Sequence, residues 1–174
     1  MGGMASTVSP EDESVLLDLL NSTPVVEGGV VDLLGGDDEA FVWSRSRHGV
    51  GSAAEAAHLR RVRDRLQDVV RGAQPAGTLQ PLLDGVRLLP DVADNGVNWL
   101  LDVEPDRRLG TRAVLAWGHV QEYMPGRLRP CANDECRLFL LDRSRPNTAR
   151  WCSMKVCGNR LKARRHYQRA QHAD

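Results

Sequence analysis

Residues 131–157 read CANDECRLFLLDRSRPNTARWCSMKVC and hold every cysteine of the chain: Cys131, Cys136, Cys152 and Cys157. Four residues separate the members of each pair, and fifteen separate the two pairs. Tetrahedral Zn2+ takes four thiolates at about 2.3 Å, and two short turns that each supply two of them, joined by a hairpin, build that shell with little backbone strain. The spacing therefore predicts one structural zinc ion per chain. A strand over 138–141, a turn over 143–147 and a helix opening at Met154 with Ser153 as its cap would complete a treble-clef-like finger. Cys152 then stands just before that helix and Cys157 in its first turn, where free N–H groups and the helix dipole favour thiolates.

Other readings use the same four residues. Disulfides need an oxidising compartment, and four unrelated buried cysteines would not repeat a spacing. A redox variant, in which oxidised thiolates release the metal, stays open. Four cysteines close the shell, whereas catalytic zinc keeps a position for water, so the ion reads as structural. A segment this short, with few large apolar residues, also needs such a staple, and structural zinc supplies about 10–16 kcal/mol of apparent binding energy.

Working outward, the 174-residue chain has zero formal charge only because two segments cancel. Residues 1–126 hold 11 Arg and no Lys against 19 acidic residues, a net of −8. Residues 127–174 hold 10 Arg and 2 Lys against 4 acidic residues, a net of +8. This implies an acidic body joined near Gly126 to a basic module that seeks polyanions and is drawn to the body in their absence. Arg129, Arg137, Arg150, Lys155 and Arg160 lie near enough in sequence to offset the negative four-thiolate centre.

The body reads as α+β, mainly helical with one hairpin. Ser9 caps and Pro10 opens a helix whose first turn is acidic and whose stripe runs from Val15 to Leu20. Gly28-Gly29 and Gly35-Gly36 read as turns, after which Asp37 caps a helix carrying Phe41, Val42 and Trp43. Ser52 and Glu55 form a capping-box pattern before the period of Leu59, Val62, Leu66 and Val69 or Val70, a helix running to about Arg71. Arg60, Arg61, Arg63 and Arg65 on it alternate with Asp64 and Asp68 and read as a solvated face. A helical turn follows the loop 72–77. Strands over 86–89 and 97–103 flank Asn95-Gly96 turn chemistry. A helix over 111–124 aligns Ala113, Trp117, Val120 and Met124, and Pro125-Gly126 ends it.

The stretch RLRPCANDECRLFLLDRSRPNTARWCSMKVCGNRLKARRHYQR, residues 127–169, resembles the CGNR zinc finger, whose eponymous run is Cys157, Gly158, Asn159 and Arg160 here. Phe139, Asp142 to Arg145 and Trp151 to Met154 carry the resemblance further. Upstream, Leu16 to Ser22, Asp32-Leu33-Leu34 and Trp43 resemble the ABATE domain that precedes this finger in bacterial proteins regarded as stress-induced transcription regulators. The resemblance implies a DNA-binding regulator whose body, 1–126, senses a small-molecule effector or pairs with another copy, and whose finger is 127–174.

A helix from Met154 to about Ala170 would carry Lys155, Arg160, Lys162, Arg164, Arg165, His166 and Arg169 around much of its circumference, suited to a groove with two phosphate walls. Arg143, Arg145 and Arg150 add a second basic edge. DNA is the favoured partner, with RNA or protein as alternatives. Phe139, Trp151 and Tyr167 are few for stacking unpaired bases, and Trp151 beside Cys152 reads as packing around the metal. No Walker loop, dinucleotide fingerprint or nucleophile elbow is present. His119 and Glu122 share a helix face without further ligands, and His48 and His58 stand alone, so an enzyme is not expected. No apolar run reaches the roughly 18 residues of a membrane span and no leader pattern opens the chain, so a cytoplasmic, nucleoid-associated protein is expected.

Overall fold

The structure is a computed structural model that describes residues 8–94 and 96–159. Helix α1, Pro10–Leu20, begins as its sequence dictates. Ser9 accepts from the Asp12 N–H, Asp12 returns a bond to the Ser9 N–H at 2.7 Å, and Pro10 fills the first position, where no N–H is needed. After it Val25–Val26 (β1) and Gly29–Val30 (β2) form a small hairpin closed by Glu27 and Gly28 at positive φ, so the body has a second hairpin where only turns were expected.

Helix α2, Asp37–Arg45, is capped by Gly36 in extended conformation and not by Asp37. Asp37, Asp38 and Glu39 instead occupy the first turn, facing the positive end of the dipole. Trp43 is buried, while Phe41 and Val42 are half or more exposed. Helix α3, Ala53–Val70, has Ser52 as its cap. Its Glu55 bonds the Ser44 hydroxyl and the Gly51 N–H, so the capping box is made on one side only.

The arginines of α3 are not one solvated face. Arg61 and Arg65 are exposed, but Arg63 is buried and paired with Asp32 and Asp64, and the Arg60 guanidinium bonds the carbonyls of Leu34, Gly35 and Gly36. Together they fasten the loop before α2 onto α3. A 3-10 helix, Ala76–Leu83, then leads into β3, Arg87–Ala93, and β4, Gly96–Asp102, paired antiparallel from Arg87↔Asp102 to Ala93↔Gly96. Strand β3 runs on through Pro90, where the sequence suggests a loop.

Helix α4, Pro105–Tyr123, starts earlier than its apolar period foretells. Arg107, Arg108 and Gly110 hide that first part in the sequence, yet Gly110 is required. A Cβ there would lie 2.7–2.8 Å from the imidazole of His58. Helix α4 packs on α1 and α3, and the core gathers Leu16, Leu19 and Leu20, Leu59, Val62 and Leu66, and Leu109, Ala113 and Val120 between them. Trp117 and Met124 sit at its margin.

The last described elements are β5, Leu128–Pro130, β6, Phe139–Leu141, and a turn at Met154–Gly158. Pairing runs Leu128↔Leu141, Arg129↔Leu140 and Pro130↔Phe139. Leu128 and Phe139 enter the body's own core. No helix among the described residues is long and apolar enough to cross a membrane.

Candidate metal centre

Strand β5 delivers Cys131 at its end, and the Cys131 N–H bonds the Leu138 carbonyl at 2.8 Å, closing a loop around Asn133 and Cys136. The chain returns through β6, and the Ala132 N–H bonds the Arg150 carbonyl at 2.8 Å, which brings Cys152 against the first pair. Ser153, extended, accepts from the Val156 N–H and caps the following turn, in keeping with its sequence. That turn is wider than an α-helix. The Ser153 carbonyl receives the N–H of Gly158, five residues on, as well as that of Cys157.

The four sulfurs lie within 4.8 Å of one another, with Cys136 3.7 Å and Cys157 3.6 Å from Cys152. A tetrahedral shell with ~2.3 Å bonds has edges of about 3.8 Å, so the donor set fits zinc as it stands. All four cysteines are free thiols, which sets the disulfide reading aside. Cys131 and Cys157 are buried, and Cys136 and Cys152 border the surface. Donors point at the sulfurs: Leu138 N–H at Cys136, Cys152 N–H at Cys131 and Asn133 Nδ2 at Cys157, each at 3.5 Å. Such N–H groups favour a charged thiolate.

Without a cation to stabilise thiolates, burial pushes Cys136 up to about 11 and Cys152 higher still. At Cys157 burial also acts upward, but the hydrogen bonds from Asn133 and the other cysteines outweigh it and lower the thiol. Zn2+ supplies the missing positive charge and displaces the protons. The cluster is a site for one structural zinc ion.

Of the residues that build this centre, Asn133 carries no signal when read alone, and the contacts of Asp142, Arg129 and Gly158 go beyond the resemblance and the charge that mark them in the sequence. Asn133, almost fully buried, holds the loop between the first two cysteines through its Nδ2 and its carbonyl, which accepts from the Cys136 N–H at 2.7 Å. Asp142 is buried and accepts from Arg129, the Ser144 N–H and the Ala149 N–H at 2.7–2.9 Å. Hydrogen bonding from Ser144 leads the causes that hold it down at about 2. Arg129 also binds the carbonyls of Gly126 and Ala149, so it clamps the segment between the cysteine pairs besides carrying charge. Gly158 is fixed by contact, since a Cβ would lie 2.9 Å from Met154 Sδ and 3.2 Å from Trp151 Cδ1. Trp151 therefore packs beside the centre, with the Arg150 guanidinium over its ring at 5.5 Å.

The expected phosphate-binding residues divide. Arg145, Arg150 and Lys155 are exposed. Arg143 is exposed as well but pairs with Glu13 of α1 at 2.6 Å. Arg160, Lys162, Arg164, Arg165 and Arg169, with the basic helix meant to carry them, lie outside the described residues.

The centre is joined to the body at its hairpin. Asn21, which ends α1, donates to the Phe139 carbonyl and accepts the Phe139 N–H at 2.7 Å, completing the backbone of β6 as a neighbouring strand would. Arg71 stacks on the Phe139 ring at 4.4 Å and bonds the Arg137 carbonyl.

Residues 127–170 match the sequence model of the CGNR zinc finger family. The match takes in the four clustered cysteines and leaves the body outside it. No curated protein matches the chain.

Proposed function

We propose that this chain is a zinc-finger DNA-binding transcription regulator of the bacterial cytoplasm, with an ABATE-like body that senses an effector or pairs with another copy. The observation that carries the reading is a four-thiolate zinc centre set in a segment of net charge +8. Zinc gives that segment a rigid frame, and the arginines spread around it meet phosphates. A closed thiolate shell leaves no position for a metal-bound water, which supports a binding role over catalysis. Stress response follows from the resemblance of both segments.

The test is duplex DNA binding by the zinc-loaded full chain, before and after chelation. Binding that falls on chelation and returns with Zn2+ supports the reading. Replacing Arg160, Arg164 and Arg165 by Ala should reduce the salt slope by about 0.9 for each phosphate no longer neutralised. Equal binding by the metal-free chain, or preference for RNA over duplex DNA, assigns the finger to another partner.

One geometric feature favours a second reading, a redox switch. The Cys152 sulfur lies 3.6–3.7 Å from two neighbours, so two of the thiolates can pass two electrons to hydrogen peroxide and join as a disulfide, which takes up two protons, leaves two waters and releases the metal. Zinc release at low peroxide, reversed by dithiothreitol, is its signature.

A further inference from the structure

The hairpin of β3 and β4 pairs with itself and is exposed along almost its whole length. Leu88, Leu89, Val92, Val97 and Leu100 are 37–82% exposed. Its lower half reaches the body, where Leu88, Trp99, Leu100 and Leu101 line a cleft with Arg108, Arg112 and Leu115. A two-stranded sheet carrying this much apolar surface is marginal in water without a third partner.

Among the described residues neither edge of this sheet is paired further, and the two edges are not alike. Strand β3 carries Pro90 at its centre between Arg87 and Asp91, and proline with flanking charge is how an edge is closed to further pairing. Residues 97–101 of β4 read VNWLL, with neither charge nor proline. The register says which groups that edge presents. Proline is accommodated inside a strand where its missing N–H would point away from the ladder, so Pro90 faces outward from β3. Its partner Trp99 then turns its own N–H and C=O outward from β4, and so do Val97 and Leu101, two residues to either side.

The geometry points to a second copy of this chain as the partner, its β4 pairing antiparallel with this β4 about a two-fold axis through Trp99. The edge is complementary to itself in that register. Trp99 exchanges hydrogen bonds with the partner's Trp99, and Val97 with the partner's Leu101. Asn98 stands opposite the partner's Leu100, and Asp102 opposite the partner's Gly96, so no like charges meet within the ladder. Val97, Trp99 and Leu101 share one face with Leu88, Pro90 and Val92, and pairing joins the two apolar faces into a four-stranded sheet. This surface does not involve the metal centre, so it stands or falls independently of DNA binding.

The experiment is sedimentation of the zinc-loaded full chain over a range of concentrations, with hydrogen exchange read at Val97, Trp99 and Leu101. The expected result is a monomer–dimer equilibrium in which those three amides become protected as dimer forms. Val97→Lys should weaken dimerisation at least tenfold, while Val97→Thr, which keeps strand propensity without charge, stays within a few-fold of the original. A chain monomeric at every accessible concentration overturns the proposal. So does a dimer in which those amides exchange as fast as in the monomer, a result that needs no variant to fold. Trp99→Cys, treated with a short bifunctional maleimide while zinc protects the native thiols, should cross-link copies faster than Val92→Cys on the β3 edge; the reverse order also overturns it.

Discussion

The acidic body and the zinc finger bury their side chains by different means. In the body Leu16, Leu19, Leu20, Leu59, Val62, Leu66 and Val120 reach 0–1% exposure, against one another on three helices. In the finger, two of the large apolar side chains that are buried, Leu128 and Phe139, belong to the body's core. Among its described residues the other buried side chains are Leu140, Cys131, Cys157, Asn133 and Asp142. Apolar packing is non-directional and tolerates variation in detail, whereas a metal shell and a buried carboxylate work only when every donor is in place. The body is therefore expected to lose stability by increments, and the finger all at once.

Metal removal should separate them most sharply. Zinc contributes on the order of 10–16 kcal/mol of apparent binding energy in small fingers. Chelation, or Cys152→Ser, should abolish amide protection over 131–157 while the helical circular dichroism of α1, α3 and α4 largely remains. Elemental analysis should give one equivalent of zinc per chain. A loss of body helicity equal to that of the finger would mean one cooperative unit.

Next in size is the body's core. Leu19→Ala and Leu66→Ala each open a cavity at a fully buried site and should cost about 2–5 kcal/mol by urea denaturation. Zinc stoichiometry should stay unchanged under native conditions.

Asn21→Ala tests the joint between the regions. It strips partners from the Phe139 N–H and C=O and should cost roughly 1–3 kcal/mol. If the regions are coupled, zinc affinity falls in the same variant, and its destabilisation shrinks once zinc is removed.

Acid should also distinguish them. Burial, then the charges of Arg107 and Arg61, lowers His58 to about 4. A histidine depressed when folded favours the neutral ring, so its contribution is complete above the unfolded value near 6.5 and is lost as pH falls from there toward 4. Stability of the body should thus decline by roughly 1–3 kcal/mol across that window, and the slope should flatten in His58→Gln. Asp142 acts in the finger at lower pH. Its carboxyl is depressed, so its contribution holds above about 4 and is lost toward 2.

The smallest effect belongs to the pair between the exposed Arg143 guanidinium and the buried Glu13 carboxylate. Glu13→Ala frees Arg143 and should tighten nonspecific duplex binding at low salt by no more than about fivefold, since an ion pair with one partner in solvent contributes about 1 kcal/mol or less. An unchanged affinity would show that the body does not compete for this arginine.

Much of this protein is legible along the chain because the governing interactions are local. The Ser9 and Ser52 caps, the helical stripes, the hairpin at 96 and the equal cysteine spacing all depend on residues within a few positions of each other. The start of α4 is hidden because Gly110 has poor helix propensity by itself; its reason is the ring of His58, more than fifty positions away. The roles of the α3 arginines are hidden for the same reason, since Asp32 and the carbonyls of 34–36 come from another part of the chain.

What the sequence by itself determined was the donor set: four thiols in two equally spaced pairs suit a closed tetrahedral zinc shell, and their chemistry does not depend on where the finger sits. Only the tertiary structure decided how that finger is held. Asn21 against Phe139, Arg71 over the same ring and Arg143 on Glu13 join positions 68–130 residues apart. Each is a spatially local polar or aromatic contact with no period to announce it. Such contacts arise when helices pack and bring distant side chains within bonding distance, and a one-dimensional pattern records no trace of that step.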